Sequence, residues 1–151
     1  MPEIQKEITI NRTAKEVFAY LCDLSKMPER LPTIVEAAFL NGPPLELGEQ
    51  FHTVQRSKGR QFEIIYEVSG FEQDRLLAIT AISGTQPFEE VYEIEAVDDG
   101  AAVTLTARGE MPGMMRLFSG KFKKLLKKQV NNDLERLKDL LEGDPTGDDQ
   151  E

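Results

Sequence analysis

The sequence predicts an α+β fold in which a curved antiparallel sheet of about seven strands wraps around one long C-terminal helix. The first observation is a series of strand-like segments that turn-forming residues separate, as in an antiparallel meander. The second is an apolar repeat at steps of three and four over residues 113–142, which is typical of an amphipathic helix. Only this helix has enough apolar surface to cover the concave face of a strongly twisted sheet.

The N-terminal third of the chain predicts a strand followed by two short helices. Residues 3–10 alternate near their end, which favours a first strand. Thr13 begins a capping-box sequence, so we predict a helix over 14–24. Ser25 is expected to cap a further helical turn, which the two following prolines bracket and end.

The other six strands are predicted in segments rich in β-branched and aromatic residues. They cover residues 34–41, 50–56, 62–68, 76–82, 88–96 and 102–108. Residues 57–60, Ser-Lys-Gly-Arg, predict a hairpin turn. In 62–68 apolar residues alternate mostly with glutamates, so one face of that strand is expected to be buried. Gly143 is expected to end the long helix.

Length and charge exclude several classes of protein. The 151 residues predict one domain over 1–142, followed by a disordered acidic tail at 143–151. A net charge of -9 argues against nucleic-acid binding, which needs a basic surface. No apolar run is long enough for a membrane span, and no apolar signal segment begins the chain, so we expect a cytoplasmic protein. One cysteine and one histidine exclude a disulfide and a Cys-rich or two-His metal site, and we expect no metal or cofactor.

Four parts of the chain resemble a known superfamily. They are residues 7–23 with Leu31-Pro32, residues 62–71, residues 92–100 leading into 103–106, and residues 125–141. Together they are similar to the START-like helix-grip (SRPBCC) superfamily, above all to its polyketide cyclase/dehydrase and lipid transport branch. The resemblance covers residues 3–142 and implies a deep, mostly apolar cavity between sheet and long helix. Members bind lipids, sterols, plant hormones or polyketides there, and no universal catalytic motif accompanies the fold.

The expected ligand-binding residues lie on inward positions of the strands and near the start of the long helix. They are Phe51, Thr53, Tyr66, Glu90, Tyr92, Met115, Phe118 and Phe122, the last three on the strength of the resemblance. Glu90 shares strand parity with Tyr92 and Ile94, so an inward carboxyl would be buried, with a raised pKa. The alternative is a frayed strand end with Glu90 in water. Gln55 is expected to join the polar cluster.

The histidine, the cysteine and a group of lysines have ordinary structural interpretations. His52 alternates with Phe51 and is expected on the surface, and Cys22 is expected to be buried or half-buried without reactivity. Five lysines are expected on the outer side of the long helix: Lys121, Lys123, Lys124, Lys127 and Lys128. They form a solvated face, a contact for anionic membranes, or a surface that the acidic tail covers.

Three functions follow as hypotheses. The first is binding of a small hydrophobic ligand, namely a lipid, polyketide or aromatic compound, in the internal cavity. The second is a cyclase or dehydratase that acts on a polyketide-like substrate, with Glu90 as the candidate acid–base residue, although no His–acid pair is present. The third is a membrane or protein-interaction accessory module that uses the lysines. Whether the protein is an enzyme stays open at this point.

Overall fold

The computed structural model describes residues 3–42, 44–83, 88–109 and 119–143. Within these ranges it shows the predicted α+β helix-grip fold, with seven strands, a long C-terminal helix and short helices after the first strand. The strands are β1 (Glu3–Ile10), β2 (Ile34–Phe39), β3 (Gln50–Ser57), β4 (Arg60–Glu72), β5 (Leu76–Ala81), β6 (Phe88–Val97) and β7 (Gly100–Gly109). The helices are α1 (Ala14–Cys22), α2 (Met27–Arg30) and α3 (Ser119–Glu142), with a 3₁₀ turn at Leu24–Lys26.

The seven described strands form one antiparallel sheet in the order β1-β7-β6-β5-β4-β3-β2. Because β1 and β2 lie at opposite edges, the short helices carry the chain across the sheet from one edge to the other. The pairing register shifts between Ile34 and Glu36 and between Val68 and Gly70. Such bulges bend a strand and increase its twist, which helps the sheet curve around α3.

The turn between β3 and β4 is the predicted one. Ser57 pairs with Arg60, which leaves a two-residue loop of Lys58 and Gly59. Their φ angles are 53° and 77°. Positive φ at both central positions is typical of a type I′ turn, whose twist matches that of the flanking strands.

The first helix begins at the predicted capping box. The Glu16 amide donates to Thr13 Oγ1 at 3.1 Å, and the Thr13 amide donates to the Glu16 carboxylate at 3.0 Å. These bonds satisfy backbone donors that have no partner within the helix. The inner face of α1 is buried against the sheet through Val17, Phe18 and Leu21.

The prediction for the end of this helix was wrong. The helix over 14–24 ends at Cys22, because Asp23 is extended, with φ -88° and ψ 101°. The Asp23 carboxylate accepts from the Ser25 amide at 3.0 Å, so Asp23, not Ser25, caps the 3₁₀ turn. Pro28 lies in the first turn of α2 instead of ending the helical segment. A first-turn proline sacrifices no hydrogen bond, because amides there have no helical partner.

Helix α3 packs against β1, β7 and α2. Its buried stripe consists of Leu126, Val130, Leu134 and Leu137. Leu125, which the repeat placed on the same apolar face, is 56% exposed. Adjacent residues on a helix differ by about 100° around its axis, so a stripe centred on Leu126 leaves Leu125 at its edge. The predicted helix residues 113–118 and most of the predicted tail, 144–151, lie outside the described residues.

Candidate functional site

A cavity of about 820 Å³ lies between α3, the segment that follows α2, and the strands β3, β4 and β6. Apolar side chains form much of its wall. They are Leu31, Pro32, Ile34, Phe62, Phe88, Leu125 and Leu140. Four polar side chains also line it from within the fold: Gln55, Tyr66, Glu90 and Asp133. An apolar cavity with a few convergent polar groups is the usual form of a small-molecule site.

The polar groups on β3 and β4 form one hydrogen-bonded network. Gln55 Nε2 donates to Thr53 Oγ1 at 3.0 Å and to Tyr66 Oη at 3.1 Å. Behind this wall, the Phe51 ring stacks on Tyr66 with the centroids 5.4 Å apart. Burial raises the pKa of Tyr66 to about 12, so its hydroxyl is neutral at neutral pH. Tyr66 Oη already accepts from Gln55, and its own O–H is a further donor.

Glu90 lies on the inner face of β6 with only 7% of its surface exposed. The sequence left open whether the Glu90 side chain points inward or lies in water at a frayed strand end, and in the structure it points inward. Tyr92 and Ile94, which share its parity, are also buried. The Glu90 carboxyl lines the cavity and makes no hydrogen bond to a described residue. Burial raises the pKa of Glu90, and the nearby positive charge of Arg30 offsets part of that rise.

Arg30, the last residue of α2, is a buried cation that the sequence analysis missed. It is 2% exposed, and its Nη1 donates to Tyr92 Oη at 2.9 Å. Its Nε is buried and has no hydrogen-bond partner among the described residues. Arg30 follows Met27 by three residues, and both are buried on one side of the short helix. That spacing is the signal that would have indicated an inward arginine.

A second carboxyl, that of the half-buried Asp133, approaches the cavity from α3. Asp133 follows Val130 by three residues and precedes Leu137 by four, so it lies along the buried stripe of the helix. Burial raises the pKa of Asp133 to about 7, and the charge of Glu90 adds to the rise while Arg30 opposes it. The helical spacing of Asp133 is the signal for its position, although leucines dominate the stripe.

Helix α2 is fixed in place by contacts that also fix Arg30. Arg136 Nε on α3 donates to the backbone oxygen of Glu29 at 2.7 Å. The Tyr20 hydroxyl on α1 donates to the Glu29 carboxylate at 2.7 Å. The residue before Arg30 is therefore held from two helices, which positions the guanidinium beside Tyr92.

The other predicted ligand-binding residues are not among those that line the cavity in the described part of the chain. Phe51, Thr53 and Tyr92 are buried in the layer behind the cavity wall. Phe122 is half-buried against the core, near Gly109 at the end of β7. Met115 and Phe118 lie outside the described residues.

Cys22 is half-buried as the sequence predicted, whereas His52, which was expected on the surface, is partly buried. The His52 side chain is 25% exposed, and its Nε2 lies 3.2 Å from the Glu63 carboxylate, so the expectation that no His–acid pair is present was wrong, although neither residue lines the cavity. Cys22 is half-buried, and burial raises the pKa of its thiol to about 11. A thiol with so high a pKa has little thiolate at neutral pH, which argues against a nucleophilic role.

The five lysines of α3, Lys121, Lys123, Lys124, Lys127 and Lys128, are exposed. No helix among residues 3–42, 44–83, 88–109 and 119–143 is long and apolar enough to cross a membrane. Over the same ranges, no three His, Cys, Asp or Glu side chains are grouped so that they could hold a metal ion. The lysine contact with anionic membranes and the cytoplasmic location stay predictions.

Comparisons with known proteins agree with this architecture. The model of the family "Polyketide cyclase / dehydrase and lipid transport" matches residues 1–142. The structure of TTHA0849 from Thermus thermophilus aligns with a TM-score of 0.77 at 17% identity, over 95% of this chain and 100% of that one. Ara h 8.0201 aligns with a TM-score of 0.71 at 12% identity, over 94% and 98% of the two chains.

A third similar structure is the di-domain ARO/CYC StfQ from the steffimycin biosynthetic pathway, with a TM-score of 0.72 and 11% identity. The alignment covers 90% of this chain and 49% of StfQ. None of the curated proteins matches the chain. The structural likenesses show the shared fold, and the family match extends over nearly the whole sequence. This chain therefore belongs to the polyketide cyclase/dehydrase and lipid transport family.

Proposed function

We propose that this protein binds a small hydrophobic molecule in the cavity between the sheet and α3. The observation that carries the proposal is an 820 Å³ cavity whose wall combines apolar side chains with four convergent polar groups. That volume lies within the range of about 300–1,000 Å³ that is typical of small-molecule sites. Membership of a family described by polyketide and lipid chemistry supports the same class of ligand.

The apolar wall would supply most of the binding free energy. Burying about 300 Å² of apolar ligand surface contributes about 7 kcal/mol, before the cost of lost ligand motion is subtracted. The Tyr66 hydroxyl and the Glu90 and Asp133 carboxyls would orient the ligand, because each lines the cavity and has hydrogen-bonding capacity to spare. Lipids, polyketides and aromatic compounds all suit such a wall.

A substitution that narrows the cavity tests this proposal. Asn132 lines the cavity and is exposed, so Asn132→Trp adds bulk to the wall without disturbing the buried stripe. We expect it to weaken binding of N-phenylnaphthylamine, an uncharged fluorescent probe, by at least about tenfold, or 1.4 kcal/mol. Lys127→Trp is the matched control, because Lys127 is exposed on the same helix and lies outside this cavity.

Probe titration, followed by native mass spectrometry with mixed lipids and aromatic polyketides, gives the decisive result. Binding by the wild type and by Lys127→Trp, with loss in Asn132→Trp, is the expected outcome. If the wild type retains no apolar ligand, or if both tryptophan variants weaken the probe equally, the proposed site is wrong.

Acid–base catalysis on a polyketide-like substrate is the second candidate, and the pair Glu90 and Asp133 favours it. Two carboxyls in one cavity, one of which raises the pKa of the other, are a recurring arrangement for proton transfer. In a dehydration, one carboxyl would take a proton from carbon while the other gave a proton to the departing hydroxyl, which leaves as water.

This candidate has its own test. We expect Glu90→Gln to abolish loss of water from a β-hydroxy ketone substrate mimic, while the mimic binds within about threefold of wild type. Mass spectrometry detects the dehydrated product, and Glu95→Gln, an exposed glutamate on the same strand, is the control. No turnover by the wild type, or unchanged turnover in Glu90→Gln, would leave binding as the function.

A further inference from the structure

Two carboxyls line the cavity from different elements, Glu90 from β6 and Asp133 from α3. Neither makes a hydrogen bond to any residue within the described ranges. A carboxyl that is largely removed from water and has no hydrogen bond is unusual, because desolvation of the charged form is costly. Both side chains line the cavity, so a bound molecule is placed to supply the missing donors.

The charges around the cavity are unequal. Arg30 is the fully buried cation in the described part of the chain, and its Nη1 is engaged by Tyr92. Arg30 carries one positive charge, whereas the Glu90 and Asp133 carboxyls carry two negative charges once both ionise. The interior of the cavity then has an excess of negative charge. At the rim the charges balance, because two cations and two anions line it: Lys128, Arg136, Glu135 and Asp139.

We propose that this cavity selects hydrophobic molecules that carry a protonated amine and disfavours carboxylic acids of the same shape. The inference rests on the proposed function, since it concerns the ligand of that same cavity. An ammonium group has three donors and no acceptor, which suits carboxyl oxygens that accept no hydrogen bond from the described residues. It also neutralises the excess interior charge through charge-assisted hydrogen bonds.

An anionic ligand meets the opposite situation. A carboxylate in this cavity would share it with the Glu90 and Asp133 carboxyls, and like charges repel. It would enter only if protons were taken up by the ligand or by the protein. We expect uncharged alcohols to have an affinity between those of amines and carboxylic acids, because an alcohol can donate a hydrogen bond to one carboxyl without changing the net charge in the cavity. The cavity therefore discriminates by charge sign as well as by shape.

Three ligands with one aromatic body separate these cases: naphthylethylamine, naphthylethanol and naphthylacetic acid. At pH 7 and physiological salt, we expect the amine to bind the full-length protein at least about tenfold more tightly than the alcohol. We expect the acid to bind at least about tenfold more weakly than the alcohol. Isothermal titration calorimetry gives the three dissociation constants.

Two variants locate the preference. Glu90→Gln and Asp133→Asn should each reduce the ratio of amine to alcohol affinity several-fold, because each amide keeps an oxygen that can accept from the alcohol but lacks the negative charge that attracts the ammonium group. Glu95→Gln removes the same kind of charge from the exposed side of β6. It should leave the ratio unchanged, which excludes a general effect of the net charge of -9.

Proton linkage gives an independent measurement. Binding of an ammonium ion stabilises the ionised carboxyls, so near pH 6 amine binding should release a fraction of a proton, and alcohol binding should not. Titrations in buffers of different ionisation enthalpy measure this release. Equal affinity for amine and alcohol, or tighter binding of the acid, overturns the charge preference while leaving hydrophobic binding intact. Failure of all three ligands, together with the uncharged probe, overturns the proposed function itself.

Discussion

Replacing Arg30 by methionine is expected to destabilise the protein by about 3–5 kcal/mol at pH 8, as is typical when one partner of a buried charge cluster is removed. Methionine has a similar length and fits an apolar environment, so the loss arises mainly from charge. Without the guanidinium, Glu90 and Asp133 have no buried counter-charge among the described residues. The Tyr92 hydroxyl also loses its hydrogen-bond donor.

The pH dependence distinguishes this electrostatic loss from a packing defect. At pH 5 the Asp133 carboxyl is mostly protonated, because burial raises its pKa to about 7, and burial also raises the pKa of Glu90, so the destabilisation by Arg30→Met should shrink as the pH falls. Adding Glu90→Gln to Arg30→Met should restore part of the stability at pH 8. Urea unfolding measures all three proteins, with Arg56→Met as the exposed control. A loss that is equal at pH 5 and pH 8 would contradict the charge-cluster account.

The fold could be predicted because its elements depend on local signals. Alternation identified the strands, the capping box at Thr13 fixed the start of α1, and Lys58-Gly59 fixed a hairpin. The inward direction of Glu90 followed from strand parity, since alternate residues point to one face. These inferences needed only neighbouring residues.

The charge cluster could not be predicted in the same way. Arg30 lies in a helix of four residues, where its spacing from Met27 is the one helical signal, and its burial depends on α2 packing against β2 and α3. Asp133 was hidden in a stripe of leucines, where one polar residue does not disturb the repeat. The meeting of residues 30, 90 and 133 is a consequence of tertiary packing, which brings together three elements distant in sequence.

Asp133→Asn is expected to stabilise the protein at pH 8 by up to about 4 kcal/mol and to have little effect near pH 4. Burial raises the pKa of Asp133 from the ordinary 3.8 to about 7. Between these values the folded protein holds a proton that the unfolded chain has lost. Stability from this group is therefore present below about pH 4 and is lost as the pH rises through 7. Asparagine has no proton to lose, so the variant escapes that loss.

The measurement is the difference in unfolding free energy between Asp133→Asn and wild type, at intervals from pH 4 to pH 8 by urea titration. Taking the difference removes the contribution of groups that titrate alike in both proteins. Asp139→Asn, an exposed position on α3, should show no such trend. A flat difference for Asp133→Asn would show that its carboxyl is solvated. The result bears on function, because a carboxyl that destabilises the protein at neutral pH is stabilised when a cation binds beside it. The free energy by which a cationic ligand stabilises the ionised Asp133 carboxyl would add to the binding affinity of that ligand.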